Sequence, residues 1–430
     1  MTYLRQTTVL CTAIAISVGA AAGSAGAQTT LNFLHKWPEP GNMKYFREAV
    51  ETFESENPDI TIDMEAVADE PYKDKIRVLM GSKQVPDIFF SWSGEFGKKF
   101  ARAGRALDIT KDLRGTKWED NFSQAALGPF QFEGAQYGVP INIDAKFMIY
   151  NEGIFEEHGL EKPETYAEFL ELNAALKEAG VTPIAFGNQF PWAASHYIGD
   201  LIAKLVPNDI RLGDFNLERP AEELYTHPGY VRALAEFKKL NDEGYFNRGS
   251  NALTHSIARG SFLASRTAMI YMELVEFDEI TKDTPLAQAG WSFFAMPDFA
   301  SQQGRDDLLT GAPDGFMISS DTENREEAIR FLKFLTSPEQ AKRYVEVTGM
   351  TSAVVGAVDE TNASLQIIEG MQAIQDAGGL ALWLDTDMDA RSTEVLLAGS
   401  QALLNDTETP EAVMENVQQT ARQVQAERAD

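Results

Sequence analysis

The chain has 430 residues, a length that favours two or more domains. Hydrophobic residues make up 44% and charged residues 24%, the balance of an ordinary soluble globular protein. A formal net charge of −28 repels nucleic acid and anionic membranes, which need basic patches; acidic excess is otherwise a solubility trait and implies no cationic ligand.

Arg5 is the only charge in the first 27 residues. The run from Val9 to Ala22 is apolar but too short to span a bilayer, and Ala25-Gly26-Ala27 offers a small-x-small cleavage site. Residues 1–27 are therefore expected to be a secretory signal peptide, with Gln28 as the mature start. Cys11, the only cysteine, leaves with the leader, so the mature chain has no thiol, disulfide or cysteine metal site, and no N-terminal cysteine to carry a lipid anchor. Losing Arg5 leaves 36 basic against 65 acidic residues, a net −29. A freely diffusing exported protein is useful inside a closed space, which points to a periplasm.

From Leu31 strands and helices alternate. LNFLHKW reads as a strand entering a loop with two prolines; Phe46, Val50 and Phe53 then fall at helical spacing, and Asn57-Pro58 stops that helix. ITIDMEA alternates with period two over 60–66. Tyr72, Ile76, Leu79 and Met80 mark a second helix ending at Gly81, and Asp87-Ile88-Phe89-Phe90 reads as a strand buried on both faces. This β-α-β-α-β order predicts a largely parallel, doubly wound α/β sheet. Further on, Thr165 and Glu168 form a capping box before a helix closed by Gly180, and Ser337-Pro338-Glu339-Gln340 opens another that Gly349 stops. There is no internal repeat and no polar linker, which suggests two domains whose chain crosses between them several times.

No G-x-S-x-G, G-x-x-x-x-G-K-[ST] or G-x-G-x-x-G occurs. The five histidines show no ligand spacing, so no metal site or other cofactor is predicted, and solvated or capping roles fit most of them. Carboxylates are abundant enough to supply a glycosidase-type pair. The absent motifs lean toward binding, with no residue assigned as catalytic.

Three of the six tryptophans sit where an apolar element gives way to turning chain, in HKWPEPG, FSWSGE and NQFPWAAS. A sugar ring offers an apolar C–H face that stacks on an aromatic plane, and a rim of hydroxyls that asks for carboxylates and amides. Trp37, Trp92 and Trp192 could supply the platforms, with Asn142, Asp144, Asn188, Gln189 and Glu273 as polar partners. Each indole could equally be packing in a core. Trp291, in GWSFFAMP, reads as core, and Trp118, after a charged loop, as a surface staple.

Several blocks resemble the extracellular solute-binding proteins of ABC transporters, in particular the sugar-binding group that includes maltose-binding proteins. They are FESENPDITIDMEA with YKDKIRVLMGSKQVPDIFFSW; YGVPINIDAKFMIYNEGIFEEHGLEKPETYAEFLE with GVTPIAFGN; SFLASRTAMIYM; and GFMISSDTENREEAIRFLKFLTSPEQAKRYVEVTG, in family order over nearly the whole mature chain. The resemblance implies an α/β, two-lobe type II periplasmic-binding-protein fold, each lobe a mainly parallel sheet flanked by helices, closing on ligand at a cleft. It places an N-terminal lobe over 28–142 plus 314–350 and a C-terminal lobe over 143–313 plus 351–430. Crossings fall near Ile141–Asp144, Asp314–Gly315 and Gly349–Ser352.

By the same resemblance Trp92 ends a strand at the cleft and Trp37 lies on the aromatic-bearing loop after the first strand. Asp144 and Asp314 stand at crossings, and Trp192 and Trp383 match by context. The family's A-M-x-x-x-G-x-W is broken in AMIYME, leaving Tyr271 or Glu273 to take the tryptophan's place. The function implied is that of a periplasmic component of an ABC importer. It would deliver a mono- or oligosaccharide, or a related polyol, to permease subunits in the inner membrane, as a monomer that binds no nucleic acid. A secreted glycoside hydrolase is the alternative from another class; glycerol phosphate and polyamines are alternative cargoes.

Overall fold

The structure, a computed structural model, describes residues 28–429 apart from 83, 281–282 and 300–302; the expected leader lies outside them. Strand β1 (Thr29–His35) leads to α1 (Pro40–Glu56), β2 (Ile60–Ala66), α2 (Asp69–Met80), β3 (Ile88–Trp92) and α3 (Glu95–Arg102), the order read from the sequence. A proline opens α1 where its missing N–H costs nothing, and Tyr45, Phe46, Ala49, Val50 and Phe53 form its buried face. Gly81 caps α2. Both β2 and β3 pair with β1 in parallel, and all five residues of β3 are buried, as a strand covered on both faces requires.

A short hairpin of β4 (Gln131–Phe132) and β5 (Ala135–Gln136) precedes the longest strand, β6 (Gly138–Asn151), of which only Tyr150 is not fully buried. The remaining strands are β7 (Thr182–Ala185), β8 (Thr267–Glu273), β9 (Trp291–Phe294), β10 (Leu309–Ile318) and β11 (Leu380–Ala381). The main sheet runs β2-β1-β3-β10-β6-β8-β7, with β9 beside β6 and β11 beside β10. The βα-connected strands at its two ends pair in parallel; the long central strands β10 and β6 run antiparallel to each other and to β3, β8 and β9, and β11 joins β10 in parallel.

Strand β6 changes partner half-way. Its first half pairs with β10, and from Lys146 onward it pairs with β8 and β9. Close approach of β10 to β6 depends on glycine: a side chain at Gly311 or Gly315 would clash with the carbonyls of Asp144 or Val139, and a register shift falls between Asp314 and Gly315. A third segment lies alongside. Thr351 Oγ1 donates to Ile143 O (2.6 Å) and Ala353 N to Ile141 O (3.0 Å).

Apolar residues gather in two main clusters. One lies around β1–β3 and continues past β6 to Met272, Phe277 and Ile374. The other lies between β7–β8 and the helices Tyr166–Glu178, Trp192–Leu205, Pro228–Asp242, Ala390–Leu404 and Pro410–Ala429. The Thr165–Glu168 capping box is formed, Ser337 caps its helix through Gln340 N, and Gly349 ends it at φ 70°. Trp291 packs edge-on to Phe277 at 5.3 Å.

Two expectations need correction. Trp118 is not a surface staple: it is buried, and its Nε1 donates to Thr336 Oγ1 at 2.8 Å, because the charged loop before it folds back onto a helix end. Of the histidines, His227 does cap a helix, but His35, His196 and His255 are buried. Among the described residues no helix is long and apolar enough to cross a membrane.

Candidate functional site

The chain leaves β1 at His35 and turns, and the first residue of the turn is Lys36. Its ammonium lies 3.2 Å from the Asp69 carboxylate, 3.5 Å from Asp314 and 4.8 Å from the centre of the Trp92 ring. Lys73, one turn into α2, approaches the same indole at 5.3 Å and Asp69 at 3.8 Å. Trp92 is thus attended by two cations, a cation–π arrangement that holds a flat indole in place where β3 ends. Phe90 and Phe96 meet it edge-on, each at 4.8 Å.

The second half of the site hangs on β6, β8 and the helix Trp192–Leu205. Lys146, two residues after Asp144 and so on the same face of β6, lies 3.4 Å from Glu273 and 5.3 Å from the centre of the Trp192 ring. His196 is one helical turn beyond Trp192. It lies 3.6 Å from Glu273 and 3.9 Å from Asp385, and stacks on Trp383 at 4.4 Å and 25°. Asp385 also accepts from Ser195 Oγ at 3.1 Å.

Between the halves stand Asp144 and Asp314. The Asp144 Oδ1 accepts from its neighbour Ala145 N (2.8 Å) and from Val275 N (3.3 Å), which ties β6 to the turn after β8. Burial, with the Glu273 charge adding to it, pushes the Asp144 carboxyl well above the ordinary carboxylate range, against the pull of Lys146. Burial likewise raises Asp314 to about 6, opposed by Lys36 and reinforced by Glu273 and Asp69. Burial disfavours the Lys36 charge, yet Asp69, Asp314 and Glu273 together hold its ammonium above the usual lysine value. His196 is kept neutral, first by burial and then by the positive charge of Lys146. Glu273, on β8, acts electrostatically on Lys36 and Asp314, and Asp385 acts on Lys73, so the two halves form one electrostatic unit.

Six of the eleven residues singled out from the sequence come together here: Trp92, Asp144, Trp192, Glu273, Asp314 and Trp383. Asn142 accepts from Asp314 N at 3.3 Å on the paired strand, and Gln189 is exposed. Three others point elsewhere. Trp37 stacks on Phe46 (5.8 Å, 17°) and meets Phe90 edge-on at 4.9 Å, behind Lys36. Tyr271 is on the same strand face as Glu273 but two residues deeper, where its hydroxyl donates to Asp200, one helical turn beyond His196. Asn188 donates to Asn251 Oδ1 (2.9 Å) and accepts through its main chain from Gln401 Nε2 (2.8 Å), bracing a loop. Lys36, Asp69, Lys73, Lys146, His196 and Asp385 were missed. Two of them carried a signal: a lysine within the apolar run of β6, and a histidine four residues after a candidate tryptophan.

A site of aromatic plates with acidic and basic side chains is suited to hold a polar ligand. The sequence profile of the bacterial extracellular solute-binding proteins matches residues 37–342. The chain belongs to that family. A multiple sugar-binding protein of Streptococcus mutans is 25% identical over 329 residues, 74% of each chain. Among solved structures, a chitin oligosaccharide binding protein superposes with a TM-score of 0.85 at 22% identity, over 93% of this chain and 100% of its own. The binding protein RafE in complex with raffinose superposes with a TM-score of 0.72 at 20% identity, over 92% and 100%. The fold is the type II periplasmic-binding-protein fold that the sequence blocks implied. The family is one of solute-binding proteins rather than enzymes, and the glycoside-hydrolase alternative draws no support from it.

Proposed function

We propose that this solute-binding protein is the periplasmic component of an ABC importer, capturing a mono- or oligosaccharide, or a related polyol, in the cleft between its lobes. One observation carries the reading. Trp92 on one side, and Trp192 and Trp383 on the other, flank a belt of alternating carboxylates and lysines, which offers flat faces to a sugar ring and donors and acceptors to its hydroxyls. The sugar-binding names of the relatives support the same class of ligand. Three lysines inside the belt oppose a polyamine cargo, and each already faces a carboxylate, which opposes a phosphate.

The lobes comprise residues 28–142 plus 314–350 and 143–313 plus 351–430, and the hinge is the place where β6, β10 and the segment after Gly349 lie side by side. A ligand touching both lobes favours the closed state in proportion to its differential affinity for it, and the closed shape is what permease subunits in the inner membrane would read. On this reading the exported protein acts as a monomer cut before Gln28.

A thermal-shift screen against a panel of sugars and polyols tests the assignment. The cognate sugar at 100 times its Kd is expected to add about 2.7 kcal/mol of stability, without turnover in a reducing-sugar assay. No shift with any sugar or polyol, or release of reducing ends, would remove it.

A further inference from the structure

Beyond Trp92, past Phe96, lies a cavity of about 220 Å³. One wall is Phe96, Lys99 and Arg102 from α3, together with Glu95; the other is the chain from Asp385 to Arg391 and Arg428 of the C-terminal helix. Phe96 meets Trp92 edge-on and Asp385 faces His196, so this cavity continues directly from the site described above.

Its charges are unequal in a way the chain as a whole is not. Four cations line it against three carboxylates, on a protein of net charge −28. Each carboxylate is already engaged. Glu95 accepts two hydrogen bonds from Arg102 and one from Arg428, all at 2.8 Å. Asp389 Oδ1 caps a helix through Arg391 N and Ser392 N, and Asp385 accepts from Ser195. Arg391 is paired with Glu427 at 2.6 Å. Lys99 alone among the four cations makes no ion pair with a described residue. Its ammonium sits over the rings of Phe96 (3.4 Å) and Phe100 (4.9 Å), and burial, with Arg77 nearby, lowers it to about 8. A half-buried ammonium against aromatic faces is a place where an anionic oxygen gains a charge-assisted hydrogen bond at low desolvation cost. The buried Asp389 Oδ2 has no partner and can accept from a ring hydroxyl.

We propose that this cavity is a subsite for a uronic-acid unit, with Lys99 pairing its carboxylate, on a sugar whose neighbouring unit lies against Trp92; this rests on the sugar-binding reading above. A uronic acid suits the lining because one unit carries both the anion for Lys99 and the hydroxyls for Asp389. The cavity has room for a single unit rather than a long chain, being smaller than the ~300–1,000 Å³ of sites that enclose drug-sized ligands.

Calorimetric titration of the mature protein with digalacturonate and cellobiouronic acid, each beside its methyl ester and its neutral parent disaccharide, tests this. At low salt the native protein is expected to bind at least one of the two acids about tenfold or more tighter than its ester, a preference that weakens as salt is raised. Lys99→Gln is expected to reduce that ratio to about twofold or less, while Lys99→Arg, which keeps the charge, retains part of it. Equal binding of acid and ester, binding of neutral disaccharides with none of the uronates, or a preference that survives in Lys99→Gln would overturn the subsite and leave the sugar-binding reading standing. Failure of every sugar and polyol to bind would remove that reading, and the subsite with it.

Discussion

Replacing Lys146 with methionine is expected to cost about 3–5 kcal/mol of stability at pH 7. The lysine side chain is 1% exposed, sits 3.4 Å from Glu273 and is the main favourable charge acting on buried Asp144. Removing it takes from Glu273 and from the buried Asp144 the cation that lies nearest to both. The sign of the pH dependence follows. Carboxyls raised above their unfolded value bind protons on folding, so stability falls as pH rises from the unfolded value of about 4 through the folded one. Without Lys146 that folded value moves higher still. The unfolded value is common to both proteins, so this part of the deficit appears only as pH rises past the folded value of Asp144 in the native protein and is absent below it. Asp314, raised to about 6, makes the native protein follow the same trend, with about 3 kcal/mol at stake between about pH 4 and 6. Urea unfolding of both proteins measures it; a loss under about 1 kcal/mol would show that the pair is not a buried compensated charge.

Trp92→Ala has the second large effect, and it acts on two quantities. The indole is 5% exposed and touches Tyr72, Phe90 and Phe96, so truncation is expected to remove about 3–5 kcal/mol of stability. On the proposed role of Trp92 as a platform at the end of β3, affinity for the cognate sugar is expected to fall by about 1–3 kcal/mol, roughly 5- to 150-fold. Titrations well below both melting temperatures separate the two. Lower stability with unchanged affinity would make Trp92 a packing residue only.

Much of the fold could be read from the sequence because its signals are local. The period-two run of β2, the apolar spacing of α1 and α2, the Thr165–Glu168 capping box and the Gly349 stop each depend on a few neighbouring residues, and each is found as read. What local reading could not supply was the partner exchange along β6, since that depends on where β8 and β10 arrive from distant parts of the chain. The same division runs through the site. Tryptophans at strand ends stand out in the sequence, whereas Lys36 and Lys73 carry no local signal, because only the fold brings Asp69 and Asp314 to them. Tyr271 and Glu273 could not be told apart by pattern. They share a face of β8, and it is the neighbouring helix that gives Asp200 to one and His196 to the other.

One sugar held by both halves of the cleft is expected to draw them together. Ion pairs across the opening, Arg428 to Glu95 at 2.8 Å and Arg77 to Glu394 at 4.0 Å, show how closely the two sides meet. Small-angle scattering of the mature protein, with and without the sugar that gives the largest thermal shift, measures the movement directly. A smaller radius of gyration at saturating sugar is the predicted result. An unchanged radius would mean a preformed cleft, and would contradict capture by closure.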